Sequence, residues 1–338
     1  MNASKKALLI LATLVGLVFI YLRLNRCECK ARVSYSGINL NQGINLDSLY
    51  RPVDSFECKE IYNAWQEFDL ISDSFEIVRE IKYSPGRKLL IVVHYHEGEK
   101  HFGAIILPEE YDETNQYPLL VWANGLDQRN PAVDLKNGII RTLIRNLPEH
   151  FIVIPSYRGQ ALVAYGKRYC SDGFFGDAFD GATDDALRLL AVTRSEFSGI
   201  DAAQIAVCGL SRGGTVALLM AARDSTIAKA VSIAGPTNFL SEDFYRRYGI
   251  QYKYQFLSWT KSLPKIRSKV LKSSPLYFIE NYPGRLLLIH GRNDQIVPVE
   301  NANAIISKLK GKDHFEFILN DNQHEFYDWH GIVEWLTI

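Results

Sequence analysis

Residues 204–223, QIAVCGLSRGGTVALLMAAR, constrain the fold more than any other stretch of the chain. They begin as a short apolar block, turn over Gly-Leu-Ser-Arg-Gly, and continue with helical spacing. That is strand, sharp turn and helix in immediate succession, with Ser211 at the tip. A turn this tight leaves no space for side chains where strand and helix meet, which accounts for Gly209 and Gly213. The serine Oγ then stands clear of the backbone at the carboxyl edge of a sheet. The amides of the new helix point at the same spot. Gly-x-Ser-x-Gly in this setting is the nucleophile-elbow pattern. A glycine-rich turn whose serine merely caps a helix spells the same letters. The rest of the chain must therefore supply an acid and a histidine in workable order.

From Tyr117 onward the chain alternates. Short apolar runs at 118–123, 151–155, 229–234, 285–290 and 314–319 read as strands. Segments 139–147, 182–194, 299–309 and 330–336 read as helices. Strands of this length between helices imply an α/β fold with a mostly parallel sheet covered on both faces. Functional residues of such sheets collect in the loops past the carboxyl ends of the strands. Asp294 lies just past 285–290, and His324 just past 314–319. The order serine, acid, histidine is the α/β-hydrolase order. Each residue type answers a chemical need. A serine hydroxyl is a poor nucleophile until a histidine takes its proton, and a carboxylate must hold the ring in one tautomer. Ser211, Asp294 and His324 are the candidate triad. His330 is the rival base, but it opens the last helix instead of following a strand. His290 precedes Gly291 inside a strand and reads as a core histidine. A developing oxyanion needs two donors. The backbone N–H of Arg212 is the first candidate, and that of Gly125 or Asn124, in the loop after 118–123, is the second. The Arg212 side chain reads either as a contact to a substrate oxygen or as half of a structural ion pair.

The chain has 338 residues and a formal net charge of zero, with no basic stripe, so nucleic acid is not an expected partner. Cysteines at 27, 29, 58, 170 and 208 contain no C-x-x-C pair, which argues against structural zinc and a dense disulfide scaffold. Cys58 and Cys170 are candidates for a disulfide in an oxidising compartment. His94, His96 and His101 cluster in a hairpin formed by 88–96 and 102–107. Exposed strand histidines are the plainer reading there than a metal site, and no cofactor is expected.

Residues 7–22 are apolar and uncharged, with Lys5 and Lys6 before them and Arg23, Arg26, Lys30 and Arg32 after. No small-x-small cleavage site follows, so an uncleaved single-pass membrane anchor is expected in 1–30. The basic flanks differ too little to orient it. Residues 31–85 read as a linker and extension, with a short amphipathic helix in 54–71 carrying Ile61, Trp65 and Phe68. Residues 86–338 form the catalytic domain. Within it, 236–272 is unusually long and rich in Phe and Tyr, the pattern either of a small cap over the site or of an excursion packing its own core.

From about Lys88 to Leu336 the chain resembles the catalytic domain of the prolyl oligopeptidase family of serine peptidases. The runs that carry the resemblance are YPLLVWANG from Tyr117, PSYRG from Pro155, Asp184-Asp185, 209–214, SPLY from Ser274, and LIHGRNDQIVP from Leu288. The resemblance implies hydrolysis through an acyl-serine intermediate, with a peptidase the first expectation. A carboxylesterase or other acyl hydrolase is the second, and a hydrolase fold used only for binding the third. Three departures stand out. Family members often place a second oxyanion donor in a His-Gly-Gly run or on a tyrosine hydroxyl, whereas this chain reads Trp122-Ala-Asn-Gly125. Residues 1–87 are too few for the β-propeller that family peptidases carry. The aromatic 236–272 segment is the third.

Overall fold

The expected alternation closes into one nine-stranded sheet with helices on both faces. The computed structural model describes residues 43–127, 131–325 and 328–338. The strands are β1 (Ser74–Ser84), β2 (Arg87–His96), β3 (Glu99–Ile106), β4 (Tyr117–Ala123), β5 (Ala132–Asp134), β6 (Phe151–Pro155), β7 (Ala161–Ala164), β8 (Lys167–Cys170), β9 (Ile200–Leu210), β10 (Ile227–Ile233), β11 (Arg285–Gly291) and β12 (Phe315–Asn320). The helices are α1 (Leu46–Leu49), α2 (Ser55–Gln66), α3 (Gly138–Asn146), α4 (Asp180–Glu196), α5 (Arg212–Arg223), α6 (Glu242–Tyr252), α7 (Leu263–Lys272), α8 (Glu300–Leu309) and α9 (Trp329–Thr337).

The large sheet runs β1-β2-β3-β6-β4-β9-β10-β11-β12. Pairing is antiparallel from β1 through the β3–β6 contact and parallel from β6 to β12. Its inner strands are buried on both faces, so they read as continuous apolar runs. Alternate side chains feed two cores. Leu119, Val121, Val207 and Leu288 pack with α4, α5 and α8; Leu120, Trp122, Cys208 and Ile289 pack with α3 and α9. The sheet already begins at Ser74, inside what the sequence alone assigns to the extension, because β1 folds back on β2 through a turn at Pro85-Gly86. The second, three-stranded sheet, β5-β7-β8, was not foreseen.

Two further expectations need correction. His94 and His101 are buried, not exposed, and their rings stack at 5.7 Å. Burial, reinforced by the neighbouring His101, lowers the pKa of His94 to about 4, so it stays neutral. Among the described residues, no group of His, Cys, Asp and Glu is placed to hold a metal ion. Cys58 and Cys208 are free thiols and Cys170 is disulfide-bonded, so no Cys58–Cys170 bridge forms. The two lie on different layers, Cys58 on α2 and Cys170 at the end of β8. The anchor expected at 7–22 lies outside the described residues, among which no helix is long and apolar enough to cross a membrane.

The extension and the 236–272 segment share a third core. Asp54 caps α2 in a reciprocal box with Glu57, and the helix buries Ile61 and Trp65. These meet Phe239, Tyr252, Phe256 and Ile266. Arg267 of α7 fastens the junction. Its guanidinium donates to Glu57 at 2.6 Å and 2.8 Å and to the carbonyls of Leu49, Arg51 and Pro52. Trp65 stands edge-on to Phe278 at 4.5 Å. Trp65→Ala therefore leaves a large cavity and is expected to cost about 3–5 kcal/mol, measured as a lower urea midpoint; an unchanged midpoint would show that α2 does not support this core.

Candidate active site

The elbow is built as its letters require. Ser211 has φ 59° and ψ −121°, a region hostile to residues with a Cβ. Such strain costs on the order of 1–3 kcal/mol and persists only where the surroundings impose it. Here the Ser211 N–H donates to the Ile233 carbonyl of β10 at 2.8 Å. A Cβ on Gly213 would lie 1.9 Å from the Ala123 carbonyl oxygen, and one on Gly209 would lie 2.1 Å from that of Gly213. Only glycine allows β4, β9 and α5 to approach this closely.

Asp294 sits in the loop past β11 and is 4% exposed. Its Oδ1 accepts from the amides of Ile296 and Val297, each at 2.8 Å. Its Oδ2 accepts from His324 Nδ1, also at 2.8 Å. Burial opposes ionisation of this carboxyl, but the His324 hydrogen bond and the two amides outweigh it and hold its pKa below the ordinary value. A carboxylate oxygen can only accept, so Nδ1 of His324 carries a proton, the tautomer in which Nε2 is the basic nitrogen of a neutral ring. Asp294 and His324, far apart in sequence, are thus joined, and Ser211 stands at the same sheet edge. His290 keeps to the core, with Nε2 donating to the Val297 carbonyl at 2.8 Å and burial lowering its pKa. His330 is exposed at the start of α9.

The loop after β4 lies directly over the elbow. A Cβ built on Gly125 would sit 3.9 Å from Ser211 Cβ. Of the two expected second donors, the Asn124 N–H is already engaged, donating to the Tyr157 hydroxyl at 3.1 Å. The Asn124 side chain is held as well, accepting from Trp122 Nε1 at 2.9 Å and donating to the Pro155 carbonyl at 3.3 Å. Gly125 is the candidate donor left.

Among the described residues the Arg212 side chain forms no ion pair. Its guanidinium is buried, stacks 4.4 Å over the Tyr157 ring, and donates to the carbonyls of Asn124 and Gly125 and to Gln160 Oε1. Burial lowers its pKa to about 10, which leaves it cationic at neutral pH. Arg212 thus ties the first turn of α5 to the loop opposite. Tyr157 and Gln160 complete this brace. Tyr157 lies within the PSYRG run and Gln160 directly after it, which gives no hint of what they hold.

Behind the site, Arg158 forms a forked pair with Asp185, its Nη2 2.7 Å from Oδ1, and reaches Asp177 at 3.0 Å. Lys269 of α7 meets the same Asp177 at 2.6 Å, so the cap is anchored to the body by partly buried charge.

A cavity of about 500 Å³ opens at Ser211, walled by Leu126, Phe179, Phe244, Tyr248, Gln255 and Val297. The 236–272 segment accordingly serves as both a cap and a packed excursion. Phe244 and Tyr248 face the cavity, while Phe239, Tyr252 and Phe256 pack behind it. Tyr248 donates its hydroxyl to the Ile296 carbonyl, joining the cap to the Asp294 loop.

The sequence model of the prolyl oligopeptidase family matches residues 149–336. The chain belongs to the prolyl oligopeptidase family. The match takes in Ser211, Asp294 and His324 together. A non-reducing polyketide synthase from Stereocaulon alpinum is 29% identical over 143 residues, which is 39% of this chain and 6% of the synthase. The chain thus spans only a small part of that relative. Among solved structures, acetyl xylan esterase 1 from Thermoanaerobacterium sp. JW/SL YS485 superposes with a TM-score of 0.60, covering 86% of this chain and 97% of the esterase at 16% identity. Porphyromonas gingivalis dipeptidyl peptidase 4 gives 0.52 over 74% of this chain and 40% of the peptidase, also at 16% identity. At such identities these likenesses speak to the fold, which is that of an α/β hydrolase.

Proposed function

We propose that this member of the prolyl oligopeptidase family hydrolyses small acyl esters through an acyl-serine intermediate. The observation that carries the chemistry is the 2.8 Å contact between His324 Nδ1 and buried Asp294 at the edge where strained Ser211 projects. In this reading Ser211 Oγ attacks the carbonyl carbon and His324 Nε2 takes its proton. The tetrahedral oxyanion is met by the N–H of Arg212, first in α5 and so without an intrahelical acceptor, and by the N–H of Gly125. As the tetrahedral species collapses, His324 returns the proton to the leaving alkoxide. Water then repeats the sequence on the acyl-enzyme.

The size and lining of the cavity favour esters over peptides. About 500 Å³ bordered by Phe244 and Tyr248 suits a small ligand. Among the described residues one carboxylate, that of Asp127, lines it, not a pair that could grip a free amino terminus. The near full-length likeness to an acetyl xylan esterase agrees with that choice. A peptidase is the second reading, favoured by the family to which the chain belongs. Short acyl p-nitrophenyl esters and peptide p-nitroanilides, tried side by side, separate the two. Ester turnover with anilides at background is expected, and the reverse result would restore the peptidase.

The brace carries its own prediction. Arg212→Met removes the donors that hold the Asn124 and Gly125 carbonyls, releasing the loop over the oxyanion. A displacement near 1 Å at such a site costs about 100-fold. The loss should fall on kcat, with KM little changed, and an unchanged kcat would remove the loop from the mechanism.

A further inference from the structure

Gln255 occupies the middle of the π-helical turn Lys253–Leu257, directly after α6. This short wide turn is unusual, and such turns recur at functional sites. Its neighbours are fixed. Tyr252 donates its hydroxyl to the Phe239 carbonyl at 3.0 Å, and the Phe256 ring packs 4.9 Å from that of Tyr252 and 5.3 Å from Phe239. With Tyr252 and Phe256 held in the third core, Gln255 is turned to the other side. It is 5% exposed and lines the Ser211 cavity, as does Gln251 four residues earlier. Among the described residues, no hydrogen bond engages the Gln255 carboxamide. Two other polar groups of the wall are engaged. Tyr248 is bound to the Ile296 carbonyl, and Nε and Nη2 of Arg212 donate to Asn124, Gly125 and Gln160.

A carboxamide so little exposed and without a protein partner is costly once an apolar ligand displaces the water of the cavity. The carboxamide is neutral and offers two donor hydrogens and an acceptor oxygen. We propose that Gln255 is the specificity-determining residue of the cavity, hydrogen-bonding a neutral donor–acceptor group, a hydroxyl or an amide, carried by the substrate beside its scissile bond. Ligands with that group satisfy the carboxamide. Purely alkyl ligands of equal size leave it unpaired, which discriminates against them about ten- to hundredfold. Gln255 is a positioning residue and takes no part in bond breaking.

This inference rests on the hydrolase reading for which bond is scissile, but its test does not depend on turnover. Binding is measured by NMR titration to the Ser211→Ala protein with three matched ligands: propyl hexanoate, 3-hydroxypropyl hexanoate and 2-carbamoylethyl hexanoate. The hydroxyl or amide ligand, or both, should bind at least about tenfold tighter than the plain ester, and the two arms identify which group is preferred. In Ser211→Ala/Gln255→Met the preference should vanish because propyl hexanoate, no longer leaving a carboxamide unpaired, binds more tightly than before, which also reports an intact cavity. Gln255→Asn, which draws the amide back by one methylene without changing its polarity, should shrink the preference. Equal binding of all three ligands by the Ser211→Ala protein, or a preference that survives both variants, overturns the proposal. Turnover by the unmodified protein is scored separately, so failure of the hydrolase reading is distinguishable from failure of this one.

Discussion

Ser211→Ala should lower kcat/KM for a short acyl ester by about a million-fold, with KM nearly unchanged. The size of the loss follows from the site's geometry. Without Oγ there is no acyl acceptor, so Asp294 and His324 have nothing to deprotonate and the three residues fail as a unit. What survives is binding in the cavity and polarisation by the Arg212 and Gly125 amides, worth about 10³–10⁴ over water. The fold should not suffer. The strain at φ 59° is imposed by the backbone and not by the hydroxyl, so alanine inherits it. Ser211→Gly should relieve it and raise stability by about 1–3 kcal/mol, read as a higher denaturation midpoint in an equally inactive protein. A serine-to-alanine protein with more than a few per cent of normal turnover would move the nucleophile elsewhere.

Asp294→Asn should lower kcat by about 10⁴, and the reason can be read from the hydrogen bonds. The Oδ1 position accepts from two amides, those of Ile296 and Val297. An asparagine will place its only oxygen there, because the alternative buries an NH₂ against two N–H donors. Its NH₂ then faces His324 Nδ1, which must become the acceptor. The ring proton moves to Nε2, the atom that should receive the serine proton, and the base is lost with hardly a change in shape. Steady-state kinetics with the crystal structure of the variant would check both halves. Rates within tenfold of the unmodified protein would sink the assignment of Asp294. Protonating Asp294 does similar damage. Its carboxyl is held below the usual range, so its contribution to stability is present above the unfolded-state pKa near 3.9 and is lost as pH falls through the still lower folded value. The pair with His324 is therefore expected to persist through the mildly acidic range.

The sequence disclosed the frame of the site because the frame is made of backbone constraints. Gly209 and Gly213 are legible as glycines that a strand–turn–helix demands, and the apolar runs of β4, β6, β9 and β11 are legible because burial on both faces removes alternation. Asp294 and His324 follow from their places just past strands. What was hidden depends on side chains meeting across long separations. Nothing near Trp122-Ala-Asn-Gly125 shows that Tyr157 takes the Asn124 N–H, or that Arg212 turns back onto the carbonyls of the same loop. Arg212 follows the nucleophile in sequence and so invited a role toward substrate, whereas its neighbourhood of carbonyls gives it a supporting one. His94 and His101 were misread for a related reason. An antiparallel hairpin normally keeps one face wet, but here β2 and β3 are covered, and Asp185 of α4 lies 3.7 Å from His101. The β5-β7-β8 sheet consists of strands of three and four residues, too short to show a period.

Acyl-serine chemistry at the elbow is tested most directly by treating the folded protein with a fluorophosphonate probe and locating the adduct by peptide mass spectrometry. The expected result is one adduct per chain, on Ser211, absent in Ser211→Ala and strongly slowed in Asp294→Asn. No adduct on protein shown to be folded, or an adduct on another residue that persists in Ser211→Ala, would contradict it.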